Sequence, residues 1–475
     1  MPRRFPALAA LAIPAALAAL AAGCASDAPP DAVRGLWEGR LEYPGLAVRV
    51  ALRVESAAGD SLAAVLILPD QGDRETPFAE AAWERGRLRL ALPEAHLAFT
   101  GRLAAGGDTM TGRWEQPPFS QDVAFRRVAA LAARPRPQTP VPPFPYHAEA
   151  VAYENAAAGV RLAGTLTLPP GDGPFPAVVL VPGVGSHERD YTVLGHRRFL
   201  VLADHLARRG IAALRFDERG AGASSGDPSA ATSADYAGDA MAGVRLLRAR
   251  DEIDPARVGI LGHSEGGTVA ALAAAASPSV AFIVMLSAPG LPGRETNLRF
   301  EESMGLAMGR DSASVAAGRR LQESILDLVA SRADSAYAAG EIRGLLAGLE
   351  PPMPAERVDG AVRRFLSPWF RYNLRHDPSM TLRRVRCPVL AAIGELDRQV
   401  PPGENLAAVA RALTESGNDD FTVSQLPKLN HFLQTATTGA PAEYGSIEET
   451  LAPAALDLVT EWILARSGEA EREAP

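Results

Sequence analysis

Lysine is almost missing from this chain. Of 48 basic residues all but Lys428 are Arg, and 56 acidic residues bring the formal net charge to −8. That balance leaves no cationic footprint and excludes a nucleic-acid partner. Cysteine is nearly as scarce. Cys24 and Cys387 are the two present, so no disulfide scaffold holds the fold. After residue 30 no stretch is long and apolar enough to span a bilayer. The glycines form neither a Gly-x-Gly-x-x-Gly turn nor a loop ending in Gly-Lys-Ser/Thr, which removes the phosphate-cradling reading. No His, Cys, Asp and Glu cluster has metal-ligand spacing, and neither cofactor nor metal is expected. What remains is a globular composition, 47% hydrophobic and 22% charged, in 475 residues. That length suits two or three domains.

The first residues are not fold. Arg3 and Arg4 precede an apolar run over 7–22, broken only by Pro14, which reads as a secretory signal. The run ends in Leu20-Ala21-Ala22-Gly23-Cys24. Small residues leading to a Cys resemble the lipobox of bacterial lipoproteins, with Ala21 where Leu is usual. The resemblance implies a signal peptide over 1–23, lipidation of Cys24 and membrane attachment through that anchor. The protein would then be exported and face the periplasm or the exterior. Plain signal cleavage nearby is the alternative. Cys387 precedes an apolar run and reads as a buried structural residue.

Residues 34–128 read as an all-β module. Val48, Val50, Leu52 and Val54 alternate with Arg49, Ala51 and Arg53, and Leu88, Leu90 and Leu92 alternate with Arg87, Arg89 and Ala91. Period two with one apolar face predicts half-buried strands. A small antiparallel sandwich or barrel of six to eight strands is expected, with Trp37, Trp83 and Trp114 as packing groups. Six prolines within 134–145 predict a stiff, extended linker that holds the two domains apart.

From residue 146 to 466 strands alternate with helices, which predicts an α/β fold on a mostly parallel sheet. Strands are expected at 160–168 (as the sheet edge), 177–181, 211–216, 258–261, 281–286, 389–393 and 421–426. Residues 291–380 are helical by pattern and predict a cap inserted over the sheet. Apolar cap residues such as Leu306, Met308 and Leu346 raise the idea of a greasy pocket wall, helix packing being the plainer reading.

The chemistry concentrates at Gly262-His263-Ser264-Glu265-Gly266-Gly267. A Gly-x-Ser-x-Gly sequence between a strand and a helix is a nucleophile elbow. The tight turn exposes the Ser hydroxyl, and the helix that begins there aims N–H groups at a developing oxyanion. A Ser hydroxyl needs a base and the base an orienting acid, in the chain order Ser, acid, His. Only His376 and His431 follow Ser264. His376 falls within the cap, whereas His431 follows the last strand, so His431 is the predicted base. Asp397 and Glu395 both follow the preceding strand, and Asp397, further from the strand end, is preferred. The oxyanion donors are expected to be the backbone N–H groups of Glu265 and of Val184, the latter in Pro182-Gly183-Val184-Gly185. Asp217 and Arg219 are expected mainly to make structural hydrogen bonds, whereas Arg189, Asp190 and His187 are expected to order the oxyanion loop or line the pocket entrance, plain surface residues being the alternative.

These motifs, with Asp217-Glu-Arg-Gly-Ala-Gly-Ala-Ser224, Gly394-Glu-Leu-Asp397, Leu429-Asn-His431 and Glu443-Tyr-Gly445, resemble α/β-hydrolase serine esterases. Bacterial carboxylesterases are the nearer likeness and serine aminopeptidase-like hydrolases the wider one. The resemblance covers about residues 146–466. It implies the catalytic residues Ser264, Asp397 and His431 and cap helices between the sixth and seventh sheet strands. Hydrolysis of a small-molecule carboxylic ester through an acyl-enzyme is the favoured reading. A peptidase of the same fold, of aminopeptidase or prolyl-oligopeptidase type, is the alternative. A third reading is a non-catalytic, lipid-anchored binding protein.

Overall fold

The computed structural model describes residues 31–467 except 44–45, 59–60, 72–73, 118, 332–333 and 350–352. The stretch 1–23 read as a signal peptide and Cys24 lie outside the described residues.

The first domain is one antiparallel sheet of nine strands. In chain order these are β1 (Gly35–Tyr43), β2 (Leu46–Ser56), β3 (Leu62–Leu68), β4 (Arg74–Pro77), β5 (Glu80–Glu84), β6 (Arg87–Leu92), β7 (Leu97–Leu103), β8 (Thr109–Gln116) and β9 (Phe119–Val128). Their spatial order is β4-β3-β2-β1-β9-β8-β7-β6-β5. The sheet curls around its own core, and Phe78 N–H donates to Ala64 O at 2.9 Å, extending the β3–β4 ladder. Trp37 and Trp114 are fully buried there, with Phe99 and Phe125 meeting edge to face at 5.2 Å. Six to eight strands were expected, and nine are found among the described residues. Strand β4, Arg-Glu-Thr-Pro, shows no apolar alternation, so pairing with β3 rather than its own pattern makes it a strand.

The second domain begins with β10 (His147–Asn155), β11 (Val160–Leu168), β12 (Phe175–Val181) and the two-residue strands β13 (Thr192–Val193) and β14 (His196–Arg197). Helix α1 (Arg198–Arg208), β15 (Ala212–Phe216), α2 (Ser233–Arg248), β16 (Ile253–His263), α3 (Glu265–Ala276) and β17 (Ile283–Leu286) follow. Among the described residues six helices form the insertion: α4 (Gly293–Ala307), α5 (Ser312–Ala330), α6 (Ser335–Ala347), α7 (Ala355–Phe365), α8 (Pro368–Arg375) and α9 (Pro378–Leu382). The chain closes with β18 (Val389–Gly394), α10 (Pro402–Glu415), β19 (Phe421–Leu426), α11 (Pro441–Tyr444) and α12 (Pro453–Ser467).

The eight-stranded sheet runs β10-β11-β15-β12-β16-β17-β18-β19. The ladders from β15 through β12 to β19 are parallel, and β10 and β11 are antiparallel. Strand β11, expected at the edge, lies second. Strand β10 takes the edge; its Ala148, Ala150 and Ala152 are exposed, and the opposite face offers only Val151 and Tyr153 as apolar residues, too few to print a strand pattern. Buried residues fill both faces, with α2, α3 and α10 on one and α1 and α12 on the other. This two-sided burial explains the unbroken apolar runs of β12 and β17. The insertion sits between the sixth and seventh strands of this sheet and has its own small core, which includes Ile325, Leu326, Ile342, Leu346 and Phe370. Leu306 and Met308 face solvent. Cys387 packs against the sheet core, and burial pushes its thiol up to about 11.

The linker differs from a spacer. Arg134 makes a two-pronged ion pair with the buried Asp70 of the first domain, at 3.0 and 2.6 Å, while Arg136 and Gln138 bond to the second. The prolines stiffen the segment, but its polar side chains dock it on both sides.

Candidate active site

In an open parallel sheet the loops at the carboxyl ends of the strands converge on one edge. Strand β12 delivers residues 182–186 there, β16 delivers Ser264, β18 delivers Asp397 and β19 delivers His431.

Ser264 stands between β16 and α3 with φ 56° and ψ −119°. A non-glycine residue in that region stores about 1–3 kcal/mol of strain, and the packing around it enforces the turn. A Cβ at Gly262 would lie 1.9 Å from the Gly266 carbonyl, and one at Gly266 would lie 2.1 Å from Val181 O. Both positions therefore exclude any side chain. Ser264 N–H donates to Leu286 O at 2.7 Å, which ties the elbow to the end of β17.

Asp397 and His431 meet as expected. His431 Nδ1 donates to Asp397 Oδ2 at 2.8 Å, and both residues are buried. Asp397 Oδ1 accepts the N–H groups of Gln399 and Val400, each at 2.8 Å. The carboxylate is thus held by three donors. Glu395 is exposed and accepts Lys428 N–H at 2.8 Å. His376 lies at the end of α8, stacked on Tyr372.

Among the described residues no hydrogen bond joins the Ser264 hydroxyl to the His431 ring. Their neighbours bring them together. His263 Nε2 donates to His431 O at 2.8 Å, and the two rings lie 4.9 Å apart. A carbonyl can only accept, so the neutral His263 carries its proton on Nε2. Its Nδ1 then accepts from the Tyr191 hydroxyl at 3.2 Å. Burial, reinforced by His431, holds His263 far below the ordinary imidazole range, so the ring stays neutral. This relay joins three loops: the one carrying Tyr191, the elbow and the His431 loop. Sequence reading missed Tyr191, for which no motif speaks. His263 stood inside the elbow motif but had no partner to give it a role.

The oxyanion side is assembled by packing. A Cβ at Gly183 would lie 3.1 Å from Ser264 Cβ, so the 182–186 loop rests directly on the elbow. Val184 is largely exposed, and its carbonyl accepts from His187 Nε2 at 3.0 Å. Glu218 Oε2 accepts His187 N–H at 3.0 Å. Arg189 is clamped on Asp217, and Arg219 on Asp239 at 2.7 and 2.9 Å. Asp217 and Arg219 are therefore structural supports. Glu265 turns its side chain away into the protein, where Ser233 Oγ and Trp369 Nε1 of α8 both donate to its Oε1. Burial raises its carboxyl above the ordinary range. No group of three or more His, Cys, Asp or Glu side chains is gathered as a metal site among the described residues.

The loop that carries His431 is held from below. Asn430 Oδ1 accepts the N–H groups of Phe432 and Gln434, each at 3.0 Å, and Asn430 Nδ2 donates to Gln434 Oε1 at 3.1 Å. Arg198, fully buried, stacks 3.6 Å over the Phe432 ring. His196 bonds Thr450 Oγ1 at 3.0 Å and Tyr444 O at 3.2 Å. Burial, with Arg136 and Arg198 nearby, pushes His196 down from 6.5 to about 3.

The His196 shift has a pH consequence with a definite sign. Between pH 6.5 and about 3 the unfolded chain binds a proton at His196 that the folded chain refuses. Stability is therefore full above the unfolded value and falls as pH drops through this window. Melting temperatures recorded from about pH 7 to 5 are expected to fall less steeply for His196→Asn than for the native chain. Equal slopes would contradict the assignment.

Against known proteins, residues 173–335 match the family model described as serine aminopeptidase, S33. The esterase EstD of Thermotoga maritima is 28% identical over 312 residues, 64% of this chain and 65% of that protein. The chain thus spans just under two thirds of that curated relative. Among solved structures, the α/β hydrolase GrgF from Penicillium sp. sh18 is 16% identical, with 67% of this chain and 99% of that one covered at a TM-score of 0.43. The esterase PF2001 of Pyrococcus furiosus is 17% identical, covering 67% and 91% at a TM-score of 0.41.

Proposed function

We propose that this chain is a serine hydrolase that cleaves carboxylic esters through an acyl-enzyme. One observation carries the reading: a Ser on a strained strand–helix elbow shares one sheet edge with a buried Asp397–His431 pair bonded at 2.8 Å. The similarity to an esterase supports it.

Ser264 Oγ attacks the ester carbonyl carbon while its proton passes to His431 Nε2. That nitrogen is free to act as base because Nδ1 carries the proton bonded to Asp397. The carbonyl oxygen becomes an oxyanion, which the N–H groups of Glu265 and Val184 receive at the start of α3. Collapse of the intermediate breaks the bond to the alcohol, which leaves with the proton from His431. Water, deprotonated by the same nitrogen, then attacks the acyl-enzyme, and the acid departs as Ser264 regains its proton.

The family match to serine aminopeptidases favours a second reading, a peptidase using the same residues. Turnover of a short p-nitrophenyl ester and an aminoacyl p-nitroanilide separates the two. The ester is expected to be the better substrate by a wide margin in kcat/KM, and a preference for the anilide overturns the esterase reading.

Lipidation of Cys24 remains part of the proposal and rests on the sequence around it. A lipoprotein anchor has several acyl chains, each contributing about 0.8 kcal/mol per buried CH₂, which is enough for stable attachment without a transmembrane helix. Cys24→Ser is expected to move the protein from the membrane to the soluble fraction with kcat unchanged. Native levels of membrane-bound Cys24→Ser protein would count against the anchor.

A further inference from the structure

The segment joining the two domains is bonded as a brace, and the loop it braces carries His431. Arg136 Nη1 donates to Ile447 O at 2.8 Å, and its Nη2 donates to Leu194 O at 2.9 Å and Gly445 O at 2.8 Å. Two residues on, Gln138 Nε2 donates to Leu451 O at 2.7 Å, while its Oε1 accepts Thr450 N–H at 2.5 Å and Leu451 N–H at 3.0 Å. Together these two side chains bind residues 445–451 at five backbone groups.

That same stretch supports the base. Gln434 Nε2 donates to Glu449 O at 2.9 Å, and Thr435 N–H donates to Glu449 Oε1 at 2.7 Å. Ala452 N–H donates to Leu433 O at 2.8 Å. The Phe432 ring meets Tyr444 edge to face at 5.0 Å. Gln434 in turn holds Asn430, so the residues on either side of His431 are held by the braced stretch and its immediate neighbours.

The other end of the brace is the β domain. Asp70, buried and salt-bridged to both Arg134 and Arg49, fixes the linker two residues before Arg136. Arg49 also donates to Ala132 O at 3.0 Å. The β domain touches the stretch directly as well, since a Cβ at Gly445 would fall 1.4 Å from Asp70 O. Charge-assisted bonds from a guanidinium to neutral carbonyls are the strong kind, and the half-buried Arg136 makes three of them, to Ile447, Leu194 and Gly445.

We propose that the 134–138 segment, anchored by Asp70 of the β domain, is a strap that positions the His431 loop. This gives the β domain a part in catalysis without its touching the substrate. Arg136, Gln138 and Asp70 are positioning residues. The proposal rests on His431 being the base, and the test keeps the two ideas apart.

The test is a double-mutant cycle on the full-length chain with a short p-nitrophenyl ester. Arg136→Ala is expected to lower kcat about tenfold or more with KM within about twofold, because small misplacement of a reacting group is costly. Backbone amides of 430–436 should exchange with deuterium faster in that variant. Gln138→Ala and Asp70→Asn, milder changes should Arg136→Ala fold poorly, are expected to lower kcat several-fold in the same direction. In a His431→Ala background the residual rate should respond to Arg136→Ala by no more than about twofold, since the group being positioned is gone. Native kcat in Arg136→Ala and Gln138→Ala overturns the strap, and so does an equal fold-loss in both backgrounds. Full activity of His431→Ala alone overturns the base assignment itself.

Discussion

Ser264→Ala is expected to lower kcat on a short ester by roughly a thousandfold or more while the protein stays folded. The size follows from the mechanism. Without Oγ there is no nucleophile, and only the oxyanion donors and substrate binding remain to act on water, a remnant of catalysis of about 10³–10⁴ over solvent. The fold survives because the turn is held by backbone contacts. Gly262 and Gly266 interlock, and Ser264 N–H stays bonded to Leu286 O. The measurement is steady-state kinetics beside a melting curve. Near-native turnover in Ser264→Ala would remove the nucleophile assignment, and a collapsed melting temperature would show the hydroxyl to be structural.

The second large effect belongs to the acid. Asp397→Asn is expected to lower kcat by about 10⁴, whereas Glu395→Gln should stay within about twofold. In the Asp397→Asn variant the side-chain oxygen can still accept Gln399 and Val400 N–H, so the loop keeps its shape. The new amide nitrogen then faces His431 Nδ1 and donates to it, which forces the ring proton onto Nε2 and leaves no lone pair to take the Ser264 proton. Among the described residues the Glu395 side chain accepts Lys428 N–H, a bond that a Gln oxygen can also accept. Comparing the two variants on one substrate checks this, and the reverse ranking would move the acid to Glu395.

Much of this was legible in the chain, and the reasons are local. The elbow announces itself because two glycines are sterically compulsory around one Ser. The strands β12, β17 and β18 read as apolar runs because both of their faces are covered. Position relative to those strands sufficed to bring Asp397 and His431 to one place. What was not legible depends on contacts distant in sequence. Strand β10 at the sheet edge has too little apolar surface to show a period. The relay from Tyr191 through His263 spans 72 residues on one side and 168 on the other. Prolines mark 134–145 as a linker, but nothing in it reveals that Arg136 would bond to carbonyls some 310 residues later. An Arg in a proline-rich segment looks like solvent-facing punctuation until its partners are in view.

The central claim is a covalent acyl group on Ser264, and one measurement addresses it directly. The chain is mixed with excess p-nitrophenyl ester, quenched in acid within the first turnovers, and digested for peptide mass analysis. The account predicts one acyl group per chain, confined to the peptide containing Ser264 and more abundant in a His431→Ala protein if deacylation slows further than acylation. An actively hydrolysing chain with no acyl adduct, or with the adduct on another residue, would contradict it.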